Sequence, residues 1–179
     1  MRAVVVYESM YGNTHLVADA IADGLREDAS GIDAVVAAVS EVDGALDGAD
    51  LVVVGGPTHA HAMTRESTRH AAAEAANKEG SELHLEDDAE GPGLREWFDG
   101  IDGLPAHGAA FDTRVDAPPL VTGRASKGIA KRLHRHGCEL LVEPQSFLVS
   151  KENELAADEL AHARRWGGAL AVALRARAR

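Results

Sequence analysis

Seven consecutive residues, Glu8-Ser9-Met10-Tyr11-Gly12-Asn13-Thr14, have the side chains and spacing to hold a phosphate. They follow Val4, Val5, Val6 and Tyr7, a run that reads as a buried strand. They precede Leu16, Val17, Ala20, Ile21, Ala22 and Leu25, which recur at helical spacing. The stretch is therefore a strand-to-helix turn of small polar residues. The first amides of a helix have no partner inside it and carry the positive end of its dipole. Ser9 and Thr14 add hydroxyls, and the residues between them add amides, so the turn can wrap an anion. It contains no Lys or Arg, so neutral donors would do the holding. The competing reading is an ordinary helix start capped by Asn13 or Thr14. The turn alone leaves both open.

Other groups with chemical potential are fewer. His59 and His61 form an H-x-H pair, with His70 and His84 further on. They share a face only if the segment is extended, and no third ligand is specified, so the pattern predicts no metal site. Glu8 is a candidate base beside the turn, but next to a phosphate a carboxylate is expected to point away. The chain lacks the G-K-[ST] ending of a P-loop and the G-x-G-x-x-G of a dinucleotide site. Ser9 lacks the flanking glycines of a hydrolase nucleophile elbow. Cys138 is the only cysteine, which rules out an intramolecular disulfide and a multi-cysteine metal centre.

The elements that must position these groups alternate. Strands are expected over 3–7, 32–39, 51–54, 106–111 and 138–142, the last extended by 147–149 after a break at Pro144. The third is expected to end at Gly55-Gly56-Pro57. Helices are expected over 13–26, 65–78, 93–101, 125–136 and 154–175, with Thr64 near the start of the second. Trp97 and Phe98 are read as core anchors. Residues 79–93, acidic and poor in large apolar side chains, read as a mobile surface loop. Such alternation implies a parallel sheet covered on both faces. Ligands then bind at the carboxyl ends of the strands, where the strand order reverses. Three loops, 9–14, 57–64 and 112–123, converge there.

The 179 residues suit one domain, 1–179. A formal net charge of -11 repels nucleic acid and anionic membranes and suits a partner with a basic patch. Against that background Arg175, Arg177 and Arg179 do not read as a nucleic-acid arm. Met1-Arg2 runs straight into the first strand and no apolar run is long enough to cross a bilayer, so a cytoplasmic protein is expected.

With these residues in place, the chain resembles the flavodoxin family over nearly its full length. VVVYESMYGNTHLVADAIADGL is similar to the first strand, phosphate loop and first helix of flavodoxins. DLVVVGGPTH is similar to their third strand and second flavin loop, and AAFDTR falls where the fourth strand meets the third loop. SMYGNT resembles the phosphate-loop variant in flavodoxin domains of flavodiiron proteins. The resemblance implies an α/β flavodoxin-like three-layer sandwich with a five-stranded parallel sheet, order 2-1-3-4-5, and an FMN site. It implies that Ser9 and Thr14 give hydroxyl bonds to the phosphate, and that Met10, Tyr11, Gly12 and Asn13 give amides. Pro57, Thr58 and His59 would line one side of the ribityl chain and flavin ring, and Asp112, Thr113 and Arg114 would approach the pyrimidine edge. The third loop offers no aromatic side chain to stack on the ring. The implied function is FMN-based electron transfer with a protein partner. The alternatives are an FMN-dependent NAD(P)H:quinone-type reductase and a non-redox binding module that has lost the flavin.

Overall fold

Valine-rich runs buried on both faces form the centre of a parallel sheet. The computed structural model describes residues 1–27 and 31–178, so Arg179 lies outside the described residues. In chain order the elements are β1 (Arg2–Tyr7), α1 (Asn13–Glu27), β2 (Asp33–Ala38), β3 (Leu51–His59), β4 (Ala62–Met63), α2 (Glu66–Ala76), α3 (Leu94–Gly100), β5 (His107–Val115), α4 (Pro119–Thr122), α5 (Ala125–Arg135), β6 (Glu139–Leu140), β7 (Gln145–Val149) and α6 (Glu159–Arg177). The sheet runs β2-β1-β3-β5, and β6 and β7 both pair with β5 in parallel. The fifth position is thus filled by one strand in two pieces, interrupted before Pro144 as expected. Counting those pieces as one gives the expected order 2-1-3-4-5. The short β4 adds an antiparallel hairpin to β3.

Strand alternation divides the core in two. Ala3, Val5, Tyr7, Leu51, Val53, Ala109 and Phe111 face α1 and α6. Val4, Val6, Val52, Val54 and Ala110 face α3 and α5, where Leu94, Phe98, Ile129 and Leu133 cover them. Phe98 is an anchor as expected, whereas Trp97 is half-buried at its edge. No helix among the described residues is long and apolar enough to cross a membrane. Arg177 pairs with Glu139 at 2.5 Å.

Several boundaries differ from expectation, each for a tertiary reason. Pro57 does not stop β3, which continues to His59. Gly55 O accepts from Glu8 N, so Gly55 faces β1 and, two residues on, so does the backbone of Pro57. By then β1 has ended at Tyr7, so the missing proline N–H forfeits no ladder bond. Gly55 is itself dictated by packing, because a Cβ there would sit 2.0 Å from Phe111 Cζ. β5 runs on to Val115, so Asp112, Thr113 and Arg114 are strand residues rather than loop. Pairing with Gly56–Pro57 on one side and Gln145–Val149 on the other extends it. The last helix begins at Glu159, later than expected, because residues 150–158 form a turn of their own. The N-cap of α2 is Arg65, whose amide donates to Thr68 Oγ1, while the Thr64 hydroxyl is used elsewhere. Residues 79–93 are pinned to the fold: Glu86 N donates to Met10 O, Asp88 accepts from Ser40 Oγ at 2.8 Å, and Ala89 packs on Met10 and Ala72.

Cys138 is buried, its Sγ donating to Pro105 O, and burial pushes its thiol up to about 11. A thiolate is the reactive form, so the folded protein is expected to resist a disulfide reagent near pH 8 and to release one equivalent when unfolded. Rapid stoichiometric labelling of the folded protein would contradict this.

Candidate functional site

The turn after β1 opens into a cleft of about 250 Å³ at the carboxyl rim of the sheet. Ser9, Met10, Tyr11, Asn13 and Thr14 form one wall, Pro57, Thr58 and His59 a second, and Thr113, Arg114 and Val115 a third. The three loops expected to converge therefore do so.

Local structure at the turn suits an anion. Gly12 has φ +91°, a conformation a side chain would strain. Its carbonyl takes the first helical bond, from Leu16 N, which makes Gly12 the boundary of α1. Ser9 Oγ accepts from Gly12 N at 3.1 Å and tightens the turn. Among the described residues, the amides of Tyr11, Asn13, Thr14 and His15 have no carbonyl acceptor. Neither Asn13 nor Thr14 caps the helix. Asn13 Nδ2 donates instead to Asn153 O and Oδ1, at 2.8 and 3.0 Å, and Thr14 Oγ1 meets Thr113 Oγ1 at 2.8 Å. Tyr11 turns its hydroxyl onto Ala72 O at 2.8 Å, so that hydroxyl is not the donor to an anion that the resemblance allows.

Period-two alternation along β5 assigns opposite duties to neighbours. Thr113 lies on the α1 face and meets Thr14. Asp112 lies on the α5 face, fully buried and outside the cleft, and its Oδ2 accepts from Ser126 N at 2.7 Å. Thr58 Oγ1 accepts from Ala125 N at 2.9 Å. Asp112 and Thr58 thus cap α5 from neighbouring strands, in place of a local side-chain cap. Asp112 is placed away from the pyrimidine-edge position that the resemblance implies. Arg114 lines the cleft but spends Nη1 on Ala117 O and on Thr122 Oγ1. His59 and Ala62 flank a two-residue hairpin turn, Ala60-His61, whose residues have φ of 46° and 70°. Burial holds His59 below its ordinary pKa, so the ring is neutral at pH 7.

Glu8 points away from the cleft, as expected beside an anion site. Its Oε1 accepts from Thr64 Oγ1 and its Oε2 from Leu94 N at 2.9 Å. Arg69, also buried, bonds Thr64 Oγ1 at 3.4 Å and pairs with Glu96 at 3.3 Å. Burial raises the pKa of Glu8, against the pull of the Thr64 and Leu94 bonds and of Arg69. A carboxyl raised in the folded state binds its proton more tightly there than in the unfolded chain. Its contribution to stability therefore declines as pH climbs from its ordinary value of 4.5 through the folded value. Glu8→Gln should remove this decline, so the stability of the variant relative to wild type should improve between pH 4.5 and 7 in urea melts. A constant difference across that range would refute the raised value.

Sequence reasoning missed two parts of the wall. Leu83 comes from the 79–93 segment, and Ser150, Lys151 and Asn153 come from the turn after β7. The signal for the second was present, because every loop after a parallel strand reaches this rim. His59 and Tyr11 supply the only rings among the described lining residues.

Residues 5–91 match the flavodoxin family. No curated protein matches the chain. Among solved structures, a flavodoxin from the domain Archaea is 21% identical, with TM-score 0.61, over 98% of this chain and 99% of that one. Flavodoxin 1 from Bacillus cereus is 20% identical, with TM-score 0.61, over 94% and 96%. The rubredoxin oxygen:oxidoreductase of Desulfovibrio gigas is 18% identical, with TM-score 0.62, over 99% of this chain but 37% of its own. These identities speak to fold alone, and the fold is flavodoxin-like.

Proposed function

We propose that this protein binds FMN in the cleft after β1, β3 and β5 and acts as an electron-transfer protein in the cytoplasm. One observation carries the reading: Ser9–Thr14, Pro57–His59 and Thr113–Arg114 wall one cleft into which unpaired helix-start amides open. The donor set fits a phosphate, with the amides of Tyr11, Asn13, Thr14 and His15, a turn only glycine adopts easily, and the hydroxyl pair of Thr14 and Thr113. Bound FMN would supply one- and two-electron chemistry. The chain's own task is to hold the phosphate, place the ring and limit water. The cleft is smaller than the roughly 300–1,000 Å³ that encloses a drug-sized ligand. Part of the ring would therefore stand outside the walls, accessible to a partner. The net charge of -11 suits a partner with a basic patch.

A second reading, reduction of quinone-type acceptors, is favoured by the sparse ring contacts. With His59 and Tyr11 the only aromatic residues among the described lining residues, a small acceptor has room to stack. Titrating the purified chain with FMN tests the binding. A shifted visible band and quenched flavin fluorescence are expected, and neither change appearing would reject it. NADH oxidation with a quinone, faster than free FMN supports, would select the second reading.

A further inference from the structure

The phosphate-loop sequence carries no cation, yet the fold delivers one from the far end of the chain. The turn after β7 is closed on itself. Ser150 N donates to Glu154 O at 2.7 Å, and Ser150 Oγ accepts from the amides of Glu152 and Glu154 at 3.1 and 3.3 Å. Asn153, with φ +64°, donates its amide to Ser150 O at 3.2 Å. Asn13 clamps the turn to the start of α1, across 140 positions of sequence. The clamp sets Ser150, Lys151 and Asn153 into the same cleft as Ser9 and Thr14.

Two cationic residues line that cleft, Arg114 and Lys151. Arg114 Nη1 is committed to its own loop. Lys151 has no acid or acceptor partner among the described residues. Glu86 and His15 line a neighbouring cavity, Glu86 Oε1 lying 3.8 Å from where a Gly12 Cβ would sit and 3.0 Å from His15 Nδ1. A dianion at the α1 start thus meets an overall acidic protein, net charge -11, with neutral donors beneath. Lysine, a compact charge on a flexible stem, answers that imbalance without needing fixed geometry.

We propose that Lys151 is the counter-ion for the phosphate group of the bound flavin, and that the 150–153 turn makes the cleft selective for a phosphorylated flavin over its dephospho form. This rests on the FMN reading. The ammonium acts on charge alone, so its effect disappears with the phosphate and weakens with salt.

The test measures dissociation constants for FMN and riboflavin by flavin fluorescence, at low and high salt, for wild type, Lys151→Met and Lys151→Arg. Lys151 is exposed, so the variants are expected to fold, which circular dichroism checks. Lys151→Met should weaken FMN about fivefold at low salt, leave riboflavin within about twofold, and flatten the salt dependence. Lys151→Arg should restore most of the loss. An equal loss for both flavins, or none for FMN, overturns the role of Lys151 and leaves the FMN reading standing. Wild-type protein that binds neither flavin overturns both.

Discussion

Thr14→Val is expected to weaken FMN by about one to two decades and to lower stability by about 1–3 kcal/mol. Two separate losses are involved. On the FMN reading the hydroxyl would donate to the phosphate, and bonds to charged groups are worth about 1.5–3 kcal/mol each. The same hydroxyl is the partner of Thr113 Oγ1 at 2.8 Å, in a place where both residues are buried. Valine there strands the Thr113 hydroxyl. The double variant Thr14→Val/Thr113→Val separates the effects. Replacing both partners by apolar groups of similar shape should recover much of the stability, because neither hydroxyl is left orphaned. It should recover none of the FMN affinity. Urea melts and flavin titration on the three proteins read the two quantities independently. Unchanged affinity in the single variant would mean that the hydroxyl serves Thr113 alone.

Gly24→Ala should be the more damaging change to the fold. A Cβ at Gly24 would lie 1.9 Å from Arg164 O, and one at Gly167 would lie 2.2 Å from Ile21 O. The obstacles are helix backbones, which cannot swing aside as a side chain can. α1 and α6 would have to separate, loosening Ile21, Leu25, Leu170 and Leu174, all fully or nearly fully buried between helices and sheet. A loss of about 3 kcal/mol is expected, or roughly 6–12 °C in Tm for a chain of this size. The adjacent Gly168 is a built-in control. Its Cβ would meet nothing closer than Gly24 O at 3.9 Å, an ordinary contact. Gly168→Ala should therefore gain up to about 1 kcal/mol from helix propensity alone. Gly24→Ala in α1 and Gly168→Ala in α6 thus carry opposite signs, and similar melts for the two variants would contradict the close approach.

The alternation of elements, the strand-to-helix turn after β1 and the split fifth strand were legible because each is written locally. Valine runs, helical spacing and Pro144 are all readable within a few residues. What was not legible depends on partners distant in sequence. Nothing near Pro57 reveals that β1 has already ended and left that side of β3 without a neighbour. Asp112 sits beside Thr113 in sequence, and only the pleat decides that one caps α5 while the other meets α1. Thr64 looks like a helix cap until Glu8, 56 positions away, takes its hydroxyl. Lys151 lies too far along the chain to be associated with Asn13 by any local pattern.

The shielded thiol of Cys138 makes the native chain its own background for site-directed labelling. A cysteine introduced at Leu120, which is 96% exposed on α4, would be the sole accessible attachment point for a dye or spin label. Distances from the cleft rim to a docked partner then become measurable without first mutating the wild-type cysteine.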